Sequence, residues 1–272
     1  MYSTRLYKSR KTRVKSKQKI YWLIDLIWAK SLLNLKSEAS RNVFSYVWWI
    51  LEPFLYMSVF YLVFEMLLNR GGENYTTFLI IGLIPWMWLM KSVSGSSSSI
   101  INSQALITQI KIHPVIFPLT IVVQTLIKQI PVFILLIGFV WLQGFEPTTS
   151  WFWLIPITIL ELIIIVIFSL VVAALIPFVR DFNYLVPTGL TFLMFMSGIF
   201  YDYKNIGEQW QDVFLMNPIA YLIKSYRDIF FNTEAINTYN LFVWFLISIT
   251  LLIMTLHLYR KLGNIFPKLT IQ

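Results

Sequence analysis

Residues 177–231, PFVRDFNYLVPTGLTFLMFMSGIFYDYKNIGEQWQDVFLMNPIAYLIKSYRDIFF, hold two apolar segments that are each short for a membrane crossing. The first, Tyr184 to Phe200, is about 17 residues long, roughly 26 Å as a helix, against a hydrocarbon core of about 30 Å. Pro187, Gly189 and Gly198 interrupt it, which predicts that neither end is a plain helix. The second, Val213 to Ile223, is split by Asn217-Pro218 and closed by Lys224, Arg227 and Asp228. This pattern predicts a re-entrant pair of half-helices turning at Asn217-Pro218. Such backbone is tolerated at membrane depth only when it is buried in protein or lines a wet cavity. A short span feeding a re-entrant element reads as the mouth of a conduit.

Outward from this stretch, the chain reads as an all-α polytopic membrane protein. Hydrophobic residues make up 57% of its 272 residues and charged residues only 13%, too apolar for a soluble domain. Further spans are expected at Val43–Leu68, Tyr75–Met90, Val115–Leu142, Trp151–Pro177 and Tyr239–Leu258, making six transmembrane helices over residues 43–258. Residues 1–19 read as a basic cytoplasmic tail, disordered in part, and 259–272 as a second cytoplasmic tail. Residues 20–38 read as an N-terminal amphipathic helix in the cytoplasmic interface, with a tilted short span as the alternative. With both termini inside, seventeen basic residues fall on the cytoplasmic side and four outside, as the positive-inside rule requires. The eleven Lys and Arg of residues 1–41 suit anionic membrane lipids, so no nucleic-acid partner is inferred.

Several polar groups sit inside apolar runs. The first span carries Glu52 beside Pro53, and Trp49, Pro53, Tyr56, Phe60 and Phe64 recur at helical spacing as one aromatic stripe. Packing and ligand contact both remain open for that stripe. Lys128 lies at mid-depth in the third span, where a structural ion pair with Glu52, Glu65 or Glu161 is favoured over substrate contact. After Met90 the run Ser92–Ser99 is expected to leave the membrane, and Ile100 to Ile112 then forms a short amphipathic segment ending at His113-Pro114. That segment is a handle for a soluble partner. The chain has no Gly-x-x-x-x-Gly-Lys-[Ser/Thr] loop, no cysteine, and only two histidines on separate elements. It is read as no enzyme, with no cofactor and no metal site of its own; its driving energy comes from elsewhere.

In order along the chain, Tyr46-Val-Trp-Trp-Ile-Leu-Glu-Pro53, Gly82-Leu-Ile-Pro-Trp86, Leu106-Ile-Thr-Gln-Ile-Lys-Ile-His-Pro114 with Phe117-Pro-Leu119, Val179-Arg-Asp-Phe-Asn-Tyr-Leu-Val-Pro187, Ser197-Gly-Ile-Phe-Tyr201 with Trp210, and Asn217-Pro-Ile-Ala-Tyr-Leu-Ile-Lys-Ser-Tyr-Arg227 resemble one family. It is that of the membrane (permease) subunits of polysaccharide-exporting ABC transporters, which serve O-antigen, capsule and teichoic acid. The likeness covers about residues 28–230, although Asn34–Ser40 and Phe44-Ser45 replace the family's usual Arg-rich run and Leu-Gly pair. The resemblance implies a homodimer around a central conduit for a lipid-linked polysaccharide in the bacterial inner membrane. Two copies of a separate ATPase would drive it, binding the ATP and Mg. It also implies a conduit lined by Trp49, Glu52, Tyr56, Phe60, Trp86, Phe192, Phe195, Phe200 and Tyr201, coupling to the ATPase through Ile107, Ile110, Lys111 and His113, and a cytoplasmic gate at Arg180 and Asp181. Two other readings stand beside it. One is a permease for a small lipid, drug or peptide. The other is a membrane glycan ligase or polymerase using Asp202, Asp212, Lys224, Arg227 and Asp228.

Overall fold

The computed structural model describes residues 2–41, 45–67, 74–110, 112–263 and 266. Its organising element is α3, Tyr75–Ser97. The run Leu79–Leu89 is apolar on every side and is buried on every side, as an all-round hydrophobic helix must be. Around α3 stand α6 (Ile116–Leu142), α7 (Leu154–Leu175), α8 (Phe182–Phe195) and α10 (Pro218–Phe231), and α11 (Thr238–Leu262) packs on the outer face of α7. Small residues let α3 and α6 approach closely: a Cβ on Gly95 would stand 3.0 Å from Ile121, and Ser92 and Thr125 share a 2.6 Å hydrogen bond.

Among the described residues, four segments are long and apolar enough to cross a membrane: Tyr75–Ser97, Ile116–Leu142, Thr149–Leu175 and Thr238–Leu262. They correspond to the second, third, fourth and sixth expected spans. The first and fifth correspond to shorter apolar helices, Val47–Val63 and Phe182–Phe195. The former comprises most of α2 (Ser45–Phe60) and the start of a π-helical extension, Tyr61–Leu67.

Three expectations need correction. α3 continues seven residues past Met90, with Ser92 and Ser96 fully buried against α6, because hydroxyls bonded within the bundle need not leave it. α8 runs through Pro187 and Gly189 without a break; only Gly198, at φ 72°, turns the chain after it. Ile100–Ile112 is not one helix but two, α4 (Ser99–Asn102) and α5 (Gln104–Ile110), broken at Ser103.

At the N-terminus a single helix, α1, runs Tyr2–Arg41 through both the expected tail and the expected interface helix. Its last turns lie lengthwise along α6 in parallel register. Ser31 Oγ donates to the Thr120 carbonyl at 3.1 Å, Asn34 Nδ2 to Gln124 Oε1 at 3.4 Å, and Lys128 Nζ to both Glu38 oxygens at 2.6 Å. The expected turn at Asn217-Pro218 is present between α9 (Glu208–Leu215) and α10. Asn217 Oδ1 accepts from the Ile219 N–H at 3.0 Å, with Pro218 at the first helical position, where its missing donor costs nothing.

Candidate substrate cavity

Between the end of α1, the start of α2, and the facing sides of α3 and α6 lies a cavity of about 780 Å³, within the range of small-molecule sites. Trp48, Trp49 and Trp88 supply aromatic surface, and Asn34, Gln124 and Gln129 supply amides. Two ion pairs complete the wall. Lys91 Nζ bonds Glu52 Oε2 at 2.6 Å, and Lys128 Nζ bonds the Glu38 carboxylate at 2.6 Å while lying 5.2 Å from the Trp49 ring centroid. Side chains of these four residues keep 25–42% of their surface. Charge inside an apolar bundle is tolerated when it is paired and faces the bundle interior or water, and these four side chains are paired and line a cavity.

The expected partners of Lys128 are therefore replaced. Glu52 is held by Lys91. Glu161 is buried in α7, where it accepts the Tyr226 hydroxyl at 2.6 Å. The side chain of Glu65 lies outside the described residues. Glu38 wins because the parallel α1–α6 register delivers it to Lys128.

The predicted conduit residues divide among separate places. Trp49 and Glu52 line the cavity, whereas Tyr56 is exposed on the outer surface of α2; the Phe60 side chain lies outside the described residues. Phe192 and Phe195 are exposed on α8. Phe195 packs on Phe200 with centroids 5.3 Å apart, and the Tyr201 hydroxyl donates to the Phe195 carbonyl at 2.9 Å. Trp86, only 2% exposed, packs in the core, where α3 is enclosed by its neighbours. Arg180 and Asp181 are exposed in the turn before α8 and form no ion pair with each other. Of the coupling residues, Ile107 is buried with Phe117, Leu170 and Tyr259, so α5 presents Ala105, Leu106 and Gln109 outward instead. His113 is half-buried, its Nδ1 accepting the Val115 N–H at 3.3 Å. The Ile110 side chain and Lys111 lie outside the described residues.

At the other end of the molecule Arg227 is buried to 9% exposure. Its Nη1 donates to the Gly198 carbonyl at 2.7 Å and Nη2 to that of Ile199 at 2.8 Å. Nε and Nη2 both reach the Phe78 carbonyl at 3.3 Å. Gly82 makes room for it: a Cβ there would stand 2.9 Å from Nη2. Lys224 ties Asp228 at 2.6 Å and Glu234 at 2.8 Å, and Lys204 ties Glu234 at 2.6 Å. The charges considered as catalytic candidates here are thus largely engaged in holding α10 and its flanking loops.

Glu234, in the loop after α10, has its carboxyl held down from the ordinary 4.5 to about 2, first by the Lys204 hydrogen bond and then by that from Lys224. A carboxyl depressed on folding stabilises above its unfolded value and loses that contribution as pH falls through the folded value. The thermal midpoint of the purified chain is expected to fall between pH 4.5 and 2, and to fall less steeply in Glu234→Gln. Identical slopes would remove this pair of lysines as the cause.

The described residues form an all-helical bundle with segments long and apolar enough to cross a membrane and with paired charges lining a cavity. The sequence profile of the ABC-2 type transporter family matches residues 25–231, and the chain belongs to that family. It is 28% identical over 257 residues to an O-antigen export system permease protein of Klebsiella pneumoniae, covering 94% of this chain and 99% of the relative. A Myxococcus xanthus protein of the same description is 25% identical over 200 residues, covering 73% and 77%. The polysialic acid transport protein KpsM of Escherichia coli is 28% identical over 211 residues, covering 72% and 78%.

Proposed function

We propose that the chain is the membrane subunit of an ATP-driven exporter of lipid-linked polysaccharide across the bacterial cytoplasmic membrane. The observation that carries this reading is the cavity: tryptophan faces, amides and self-neutralised ion pairs inside an apolar bundle. The descriptions of the full-length relatives support the same cargo class. Pyranose rings stack their C–H faces on tryptophan and satisfy their hydroxyls with amides and carboxylates. A drug or small lipid has far less call for that polar complement.

In this reading the four long helices, α2 with its π-helical extension, and α8 make six spans, with both termini cytoplasmic. α9 and α10 form the re-entrant element at the outer side. The exposed apolar faces of α2 and α8, Phe54, Leu55 and Tyr56 on one and Tyr184, Phe192 and Phe195 on the other, meet a second copy or lipid around the conduit. Two ATPase copies bind ATP and Mg and press on α5 through its outward residues.

Deleting the gene from its host should abolish surface polysaccharide and leave the glycan inside the cell, with export restored by the wild-type chain. Undiminished surface glycan in the deletion strain, measured by antibody or lectin labelling, would overturn the proposal.

A further inference from the structure

The cavity lies within one protomer, walled by α1, α2, α3 and α6, and its charge sums to zero: Lys91 and Lys128 are each neutralised by a carboxylate. An anion such as a lipid phosphate gains little there, since each ammonium is already committed. A neutral polyhydroxyl compound gains more. The two carboxylates have lone pairs left for adjacent hydroxyls, Gln124 keeps its amide N–H groups and Gln129 its amide oxygen beside their bonds to Asn34 and Ile84, and Trp48, 48% exposed, offers a ring face.

We infer that this chamber is a saccharide subsite complete within a single protomer, taking a neutral pyranose unit of the exported glycan rather than the phosphate of its lipid carrier. The inference rests on the polysaccharide reading and adds a location and a charge class to it. The ring lies against Trp48 and Trp49, with its hydroxyls on the Glu52–Lys91 and Glu38–Lys128 pairs. Because α1 forms one wall, occupancy of the subsite and the seating of α1 on α6 are linked.

The chain has no cysteine, so Ser37→Cys, at the exposed edge of the cavity, gives a single reporter in the full-length protein. The variant is reconstituted in nanodiscs and its modification by N-ethylmaleimide is timed. One arm adds the host's own polysaccharide, freed of lipid by mild acid; the other adds polyprenyl phosphate alone. The glycan should slow labelling saturably, by about tenfold at ten times the half-effect concentration, and polyprenyl phosphate should leave the rate unchanged. Trp49→Ala and Glu52→Gln, each checked for a monodisperse profile, should raise the half-effect concentration about tenfold or more. An unchanged rate with glycan, equal protection by polyprenyl phosphate, or protection indifferent to both substitutions would overturn the inference. Loss of surface glycan on gene deletion, together with an unprotected reporter, would sink the subsite and leave the exporter reading standing.

Discussion

Replacing Arg227 by alanine should lower the thermal midpoint of the purified chain by roughly 6–15 °C, corresponding to about 3–5 kcal/mol. The guanidinium bridges three backbone carbonyls: Phe78 at the start of α3, and Gly198 and Ile199 after α8. It also lies 3.4 Å from the Phe78 ring centroid. Removing it orphans acceptors on two elements and frees α10 from both. Lysine cannot substitute, because one ammonium lacks the planar fork that reaches several carbonyls at once. Arg227→Lys should therefore recover less than half of the loss. Differential scanning fluorimetry on the detergent-purified variants checks this, and a midpoint for Arg227→Ala within about 2 °C of wild type would refute the bridge.

The second large effect is expected at Lys128. Alanine there leaves Glu38 facing the cavity without its cation, which should cost about 1–3 kcal/mol given the partial exposure of both side chains. Glu38→Gln in the same chain should return much of that loss, giving a coupling energy of about 1 kcal/mol or more in a double-mutant cycle. Export of surface glycan should follow the same order, with the double variant outperforming Lys128→Ala. Additive effects would mean that α1 and α6 are not coupled through this pair.

The Glu38–Lys128 pair joins two polar stripes on separate helices. Ser31, Asn34 and Glu38 recur every three to four residues along one face of α1, and Thr120, Gln124 and Lys128 do the same on α6. Both polar stripes are legible from periodicity alone. Their mutual register is not, because it is a tertiary match between helices about 90 residues apart. The apolar lengths were legible for four spans, since hydropathy dictates them directly. The serine run after Met90 misled for a definite reason: composition marks polar groups, not the partners on α6 that let them stay inside. The turn at Asn217-Pro218 was readable because cap and proline chemistry are local. Trp86 and Ile107 both point into cores, an orientation that motif resemblance does not carry, since it names a position without saying which way the side chain points.

The most direct test of the account is ATP-dependent translocation in sealed proteoliposomes. The chain is reconstituted with its cognate ATPase and fluorescently labelled lipid-linked glycan, and glycan reaching the trans leaflet is read by a membrane-impermeant quencher or lectin. Translocation is expected only when chain, ATPase and hydrolysable ATP are all present. Equal translocation by the chain alone, or none with all three components and a competent ATPase, would contradict it.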